Sequence, residues 1–454
     1  MGFRTQQMST SIAVNATEAR TPSSAWVSAF ILLLLYALSF LDRQIMAMMI
    51  EPIRRSLDIT DFQVSLLLGL AFSLLYVTCG LFAGSLVDRF ARRPLIAAGV
   101  ALWGLATAAC GLASSFLGLF LARMFVGLGE SVLTPAAYSF LADAFPRRRL
   151  SLALAIFAVG TTAGAGAAMM GGGALIAFVN AQPAVQAPMI GLLQPWQIVF
   201  MIVGLVGLPL ALLIYLVPEP KRSGAVAKDQ IGGWSETLSF LYRRRALWLA
   251  IVAIYAPAAM LNYAVTLWTP SVMIREFGWD VAHVGLALGA ICAVAGATGQ
   301  MFFGWLVDRL YARGREDIHF LFFACALVVG VPCAILGYLS GQAFILLGAL
   351  VVVYGLVMSF AGYAAASIQL TTPGSYRGRV GAVFMLVMNV PGLALGPPLV
   401  ALLAEHGPFA NGRLSVAIAM SFMLLTPIML AGTLLGRGPL RRALAEEKLR
   451  LPSA

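Results

Sequence analysis

Four ionisable side chains sit inside long apolar stretches of this chain, where a lipid bilayer makes charge expensive. Asp42 and Arg43 lie in FILLLLYALSFLDRQIMAMMI, Arg123 and Glu130 in FLGLFLARMFVGLGESVLTPAAYSFL. A charge at mid-membrane costs about 2.5–3.5 kcal/mol even on the mildest insertion scale, so such residues normally face a polar interior and mark a transport path or a proton relay. The two carboxylates can take up and release protons. The two guanidiniums can neutralise them or hold an anion. An arginine neighbour favours the ionised carboxylate and desolvation favours the protonated one, so a change of partner changes proton affinity. If Arg123 exchanges between Asp42 and Glu130 as helices move, proton binding becomes tied to conformation. A structural reading competes: two neutralising ion pairs that only join helices, a costly device where apolar packing often does as well.

The elements that must position these groups are membrane-crossing helices. The chain has 454 residues, 60% hydrophobic and 11% charged, whereas a soluble protein carries about a quarter charged residues. Runs of the length needed to cross the hydrocarbon core recur twelve times, at 25–50, 62–86, 95–113, 116–140, 150–179, 196–217, 247–271, 283–306, 319–339, 343–369, 380–404 and 414–436. Thr60-Asp61-Phe62-Gln63 reads as a capping box that opens the second helix, and Pro146 closes the fourth. Residues 1–24 form a polar, Ser/Thr-rich N-tail with no apolar stretch, so no cleavable signal peptide is expected.

Alternate loops carry 24 and four of the Lys and Arg residues, which by the positive-inside rule places both termini in the cytoplasm. The longest hydrophilic stretch, 218–246, divides the chain into six-helix bundles at 25–217 and 247–436, followed by a C-tail at 437–454. Within the linker, TLSFLYRRR fits either a short amphipathic helix on the inner surface or a solvated connection. The C-tail RRALAEEKLR reads as a solvated end. Gly84-Ser85-Leu86-Val87-Asp88-Arg89 follows the second helix and Gly304-Trp305-Leu306-Val307-Asp308-Arg309 the eighth, an internal repeat in corresponding loops. Two parallel six-helix halves with a site between them at the midplane is the architecture such a repeat implies.

Geometry then relates the charges. Arg123 and Glu130, seven residues apart, share one helix face. Helix 1 and helix 4 run in opposite directions, and at about 1.5 Å per residue Asp42 and Arg123 reach similar depth, with Glu130 about two turns closer to the cytoplasm. Gly127 and Gly129 are expected to keep that face thin enough for helix 1 to approach.

The stretch from Gly84 to Arg93, GSLVDRFARR, resembles the cytoplasmic signature of the major facilitator superfamily of secondary transporters, departing at Ala91 where that pattern usually has Gly. Arg123-Met124-Phe125-Val126-Gly127-Leu128-Gly129 resembles the superfamily's fourth-helix pattern, and the glycines at 160, 164, 166 and 171–173 its fifth-helix motif without the usual Pro; close helix packing also accounts for these glycines. The resemblance implies a conformational latch made by Gly84, Asp88, Arg89, Arg92 and Arg93 with Asp308 and Arg309 in the second half. Gly84 would let helix backbones approach, and Asp88 would cap a neighbouring helix or pair with arginine.

Phe40-Leu41-Asp42-Arg43-Gln44, Glu51-Pro52-Ile53-Arg54-Arg55, Asp61-Phe62-Gln63 and Gly127-Leu128-Gly129-Glu130 resemble the spinster-like branch, whose members move lysophospholipids or sphingoid lipid phosphates. That resemblance implies protonation at Asp42 and Glu130, with Arg43 and Arg123 as charge partners or headgroup contacts.

The second half has no charge at mid-membrane. Asn262, Tyr263, Gln300, Tyr363 and Asn389 are its polar cavity candidates, each also readable as a helix–helix hydrogen-bonding residue. An amphiphile suits the asymmetry, its headgroup near the arginines and its tail against the apolar second half. An organic-anion/proton symporter is the alternative, with a sugar acid or other carboxylate on Arg43 or Arg123. A receptor or scaffold would not need titratable residues on facing helices.

Five cysteines within apolar runs and three histidines (His283, His319, His406) near helix ends show no metal-ligand spacing, and no nucleotide-binding glycine loop is present. No enzyme, cofactor or nucleic-acid partner is expected. The partners are protons, a small amphiphilic or anionic substrate and the bilayer, with a monomer as the working unit. Low Lys against high Arg and Ala fits a bacterial inner membrane.

Overall fold

The computed structural model describes residues 22–182, 185–187, 191–222, 234–373 and 376–450. Most of the expected N-tail, the middle of the linker and the last four residues lie outside them. Among the described residues, twelve helices are long and apolar enough to cross a membrane. They are numbered as spans 1 to 12: Ser23–Met48, Asp61–Gly80, Arg92–Cys110, Phe116–Ala144, Leu152–Asn180, Pro195–Leu216, Arg245–Arg275, Val281–Ala312, Ile318–Leu339, Ala343–Leu370, Arg377–His406 and Leu414–Leu449. Large apolar side chains such as Phe30, Leu117, Phe178, Leu249 and Val328 remain exposed around the outside, as a lipid-facing surface requires.

Spans 1–6 pack on one another, chiefly 1 on 5, 3 on 6 and 4, and 2 on 4. Spans 7–12 do the same, with 7 on 11 and 12 and 9 on 10 and 12. The halves meet where span 5 lies on 8, span 11 on 2 and span 7 on 1. Glycine makes the first of these contacts close. A Cβ on Gly166 would stand 2.6 Å from the Gly289 carbonyl oxygen, and one on Gly285 2.5 Å from that of Met169.

At the arginine-poor face the halves are clamped by charge. Arg275, at the end of span 7, pairs with Glu51 and donates to both oxygens of Asp61 at 2.7 Å. Glu405 of the second half accepts from the Phe62 backbone N–H at 3.0 Å. The capping box beneath is complete: Thr60 Oγ1 accepts from the Gln63 N–H and Gln63 Oε1 from the Thr60 N–H. Two short strands, β1 (Val185–Ala187) and β2 (Gly191–Leu193), pair antiparallel between spans 5 and 6. Nothing in the apolar periodicity announced them.

Spans 8 and 10 each contain a five-residue π segment, Cys292–Gly296 and Val353–Val357. The widened turn in span 10 is capped from within. Ser359 Oγ donates to the Tyr354 and Gly355 carbonyls at 3.1 and 2.7 Å, satisfying acceptors that the irregular ladder leaves exposed.

At the arginine-rich face one open reading is decided and one expectation is corrected. Of TLSFLYRRR, Thr237 to Arg243 belong to a helix, Trp234–Arg243, as the first of the two readings has it, with Phe240 stacked on Tyr376, while Arg244 and Arg245 open span 7. The C-tail is not a solvated end. Span 12 belongs to one unbroken helix, Leu414–Arg450, whose last turns are held by charge. Arg437 and Arg441 pair with Asp317 at 2.5 and 2.9 Å, Lys448 with Glu316 at 2.6 Å, and Glu446 and Glu447 with Arg244 at 2.8 and 3.0 Å. These partners are remote in sequence, which is why local charge spacing read as solvated.

Candidate functional site

Span 1 presents Ser39, Asp42 and Arg43 at i, i+3 and i+4, hence on adjoining strips of one face. Span 4 presents Arg123 and Glu130, and span 3 contributes Thr107. The side chains assemble as two stacked pairs. In the first, Arg123 Nη1 donates to Asp42 Oδ2 at 2.7 Å and Thr107 Oγ1 to Asp42 Oδ1 at 2.9 Å, and both charged side chains are 1% exposed. In the second, Arg43 binds Glu130 Oε2 through both Nη2 and, at 3.1 Å, Nε, and Ser39 Oγ donates to the same oxygen at 2.6 Å.

Glu130 is therefore held by Arg43 in this conformation, not by the Arg123 of its own helix. Phe72 lies between the layers, its ring centroid 4.5 Å from the Arg43 guanidinium and 5.7 Å from that of Arg123. The Phe40 and Tyr76 rings, each at 5.3 Å, complete an aromatic wall around Arg43.

The pairs differ in access. Arg43 keeps 14% of its side-chain surface open, against 1% for Glu130. Glu130 Oε1 is buried without a hydrogen-bond partner among the described residues. An oxygen of a buried carboxylate in that state is a place for a proton, which could sit on Oε1 while Oε2 keeps its donors.

The glycines of span 4 serve different neighbours from the one expected. A Cβ on Gly127 would stand 2.2 Å from the Phe72 carbonyl oxygen of span 2, and one on Gly129 2.6 Å from the Trp103 nitrogen of span 3. They bring spans 2 and 3 in and so seat Phe72, while span 1 is reached by the long side chains.

In the second half, Tyr263 Oη donates to Asn389 Oδ1 at 3.2 Å, and Asn389 Nδ2 to the Met385 carbonyl at 2.9 Å. Span 7, which carries Tyr263, packs on span 1, which carries Arg43. Thr266 and Tyr354 share a hydrogen bond of 3.1 Å. Asn262 and Gln300 are half-buried. Tyr363 is 2% exposed against Phe322 and Phe323, so it packs inside the second half and does not line a cavity. Ser39, Thr107, Phe72 and Tyr76 were not singled out from sequence. Helical spacing from Asp42 and Arg43 points to Ser39, whereas no local signal points to the other three.

The fold has counterparts among known proteins. The description of the Major Facilitator Superfamily matches residues 32–397. The chain belongs to the major facilitator superfamily. It is similar, at 27% identity over 416 residues (90% of this chain, 92% of the relative), to an MFS-type efflux pump of Mycolicibacterium smegmatis. A hexuronate transporter of Bacillus subtilis is 22% identical over 415 residues (88% and 93%). Protein spinster homolog 3 of Mus musculus is 25% identical over 412 residues (84% and 75%). A solved structure of a bacterial homolog to the human lysosomal transporter Spinster, inward-facing and unoccupied, superposes with a TM-score of 0.76 at 23% identity, covering 96% of this chain and 100% of that one. The relatives of this major facilitator chain are transporters, not enzymes.

The superfamily signature after span 2 divides in two. Gly84 has open space where a Cβ would stand, so it brings no backbones together in this conformation, and Asp88 and Arg89 are exposed. Arg92 is 1% exposed and pairs with Asp143 and, at 2.8 Å, with Glu219. Glu219 also accepts from the Arg92 and Arg93 backbone N–H groups. Arg222 donates to the carbonyls of Val87, Asp88 and Phe90, fastening the start of the linker to the first half. In the second half, Asp308 is exposed and Arg309 lies 5.2 Å from the Trp305 ring centroid.

Proposed function

We propose that this major facilitator chain is a proton-coupled secondary transporter of an amphiphilic anion of the lysophospholipid class, working by alternating access with Glu130 as its coupling carboxylate. The observation that carries the reading is the contest for Arg43. Its guanidinium is the open member of the four charges, walled by three rings, and it is held by a carboxylate that retains one unpartnered buried oxygen. A proton on Glu130 removes the negative charge that occupies Arg43 and frees the guanidinium for an anionic headgroup. Loss of the proton restores the pair and expels the headgroup. Asp42 and Arg123, equally buried and joined to span 3 through Thr107, keep the helices in register, with Asp42 the second candidate for protonation. The phenyl and phenol rings that wall Arg43 suit the glycerol and upper acyl chain of an amphiphile, and the spinster relatives support that class.

A carboxylate sugar acid is the second reading. The hydroxyl and amide groups of Tyr263 and Asn389 in the second half favour it, as does the hexuronate-transporter relative.

The arginine-rich face is taken as cytoplasmic in a bacterial inner membrane. The clamp of Arg275 on Glu51 and Asp61 then closes the outer side and makes this conformation inward-facing. Counterflow in proteoliposomes with a panel of lysophospholipids and sugar acids, with and without a pH gradient, tests the reading. Exchange of lysophospholipids with gradient-driven accumulation is expected. Exchange of sugar acids alone selects the second reading, and exchange unaffected by the gradient refutes the coupling.

A further inference from the structure

A second charged cluster lies far from the central site, at the arginine-rich end of the second half. Between the start of span 9 and the last turns of span 12 there is a polar cavity of about 370 Å³ walled by Arg315, Glu316, Asp317, Leu321, Arg437 and Arg441. Arg437 and Arg441 are one helical turn apart and share a face. Both bind the same oxygen, Asp317 Oδ2, at 2.5 and 2.9 Å. One carboxylate oxygen thus serves two guanidiniums, and the Asp317 side chain is 5% exposed whereas those of Arg437 and Arg441 are 35% and 55% exposed. Glu316, the other acid of the wall, is engaged by Lys448. With Arg315 included, the wall holds three cations against one carboxylate not otherwise committed.

The depth of this surplus is informative. Leu434 and Leu435, the turn of span 12 next to Arg437 on its membrane side, are 58% and 77% exposed, and Leu321 forms the apolar edge of the cavity itself. Cationic surface therefore gives way to lipid-facing surface within one helical turn. A ligand that matches both needs a charged oxygen cluster at the level of the arginines and hydrocarbon alongside the leucines. Guanidiniums bind phosphate oxygens with short charge-assisted hydrogen bonds, and basic pockets at the inner face of transmembrane helices are suited to anionic headgroups.

We propose that the cavity between spans 9 and 12 binds the phosphodiester headgroup of an anionic phospholipid from the adjoining leaflet, held by Arg437 and Arg441 with its chains against Leu434 and Leu435. The bound lipid completes the charge that Asp317 leaves half-met and holds the end of span 12 against span 9.

The test uses the full chain, purified and stripped of lipid in neutral detergent, with binding read by native mass spectrometry. The ligands are phosphatidylglycerol, phosphatidylcholine of the same acyl chains, and inorganic phosphate. Wild type is expected to prefer phosphatidylglycerol by roughly tenfold or more, and the R437Q/R441Q variant to lose that preference. Asp317→Asn, which releases both guanidiniums from their carboxylate, is expected to bind phosphatidylglycerol more tightly than wild type. That second variant decides the matter if the double variant does not fold. Equal retention of the two lipids by wild type, or unchanged or weaker phosphatidylglycerol binding by Asp317→Asn, overturns the proposal. Full displacement of phosphatidylglycerol by millimolar inorganic phosphate reassigns the cavity to a soluble phosphate and overturns the lipid assignment.

Discussion

Glu130→Gln removes a charge and a protonation site while keeping the side chain's shape, and the two effects separate in size. Taking one partner from a buried ion pair costs about 3–5 kcal/mol when the other is left as an uncompensated charge. Arg43 is not left so. It is 14% exposed, and the rings of Phe40, Phe72 and Tyr76 lie 4.5–5.3 Å from its guanidinium, each such contact being worth about 0.5–1 kcal/mol or more. Gln Oε1 can still accept from Arg43 and Ser39. The loss of stability is therefore expected near the low end, about 1–3 kcal/mol, and the variant should purify as a folded protein. Function should change in kind. In proteoliposomes, accumulation driven by a pH gradient is expected to fall to the level seen without a gradient, while counterflow, which requires no net proton movement, persists. Full gradient-driven accumulation by Glu130→Gln refutes Glu130 as the coupling group. Loss of counterflow together with accumulation refutes the separation of proton from substrate and makes Glu130 part of the binding geometry.

Asp42→Asn leaves Arg123, 1% exposed, without a counter-charge, so a larger loss of about 3–5 kcal/mol is expected, read as a lower thermal-unfolding midpoint than that of Glu130→Gln. Gly129→Ala places a Cβ 2.6–2.8 Å from Trp103 and Gly99 atoms and is expected to cost about 1–3 kcal/mol or more. Gly84→Ala, with nothing within 4 Å, should stay within about 0.5 kcal/mol, and equal midpoints for the two variants would contradict the packing described. Arg275→Gln frees Glu51 and Asp61 and is expected to raise thiol labelling of a cysteine placed at Tyr263 from the arginine-poor side; unchanged labelling argues against the clamp. Asp317 and Glu219 lie outside the spans. Burial alone raises both, but hydrogen bonds from Arg437 and Arg441 to Asp317, and from Arg92 to Glu219, hold both carboxyls below their ordinary values. Their stabilisation is complete above the unfolded value of about 4 and lost as pH falls through the lower folded value. Protease protection of the end of span 12 should therefore persist at pH 5 and fail only in stronger acid.

Helical rise was enough to bring Asp42 and Arg123 to one depth, because position along a straight helix is linear in residue number. Rotation about the axis was less legible. Arg43 sits about 100° round from Asp42, and only the packed helices show that this step carries it from Arg123 to Glu130. Gly127 and Gly129 announced close approach without naming the neighbour, since a glycine pattern specifies a thin face and not what lies against it. The twelve spans and the two halves were readable because bilayer thickness imposes a length and the repeat at 84–89 and 304–309 imposes a symmetry; these segments were expected in loops, but both continue the helices of spans 2 and 8. The clamp at Arg275 and the anchoring of span 12 were not readable. Their partners are separated by 120 or more residues, a distance at which single-sequence patterns are silent.

The helix from Leu414 to Arg450 has 37 residues and at about 1.5 Å each is about 55 Å long. A rod of that length is a lever. If the second half tilts about 10° between conformations, the arginine-rich end swings through about 10 Å relative to the opposite end of the same rod. The pairs from Arg244 to Glu446 and Glu447 make the linker helix travel with it. A fluorophore near residue 448, paired with one on span 3, would convert a small rocking motion into a measurable distance, with no need to identify the cargo first.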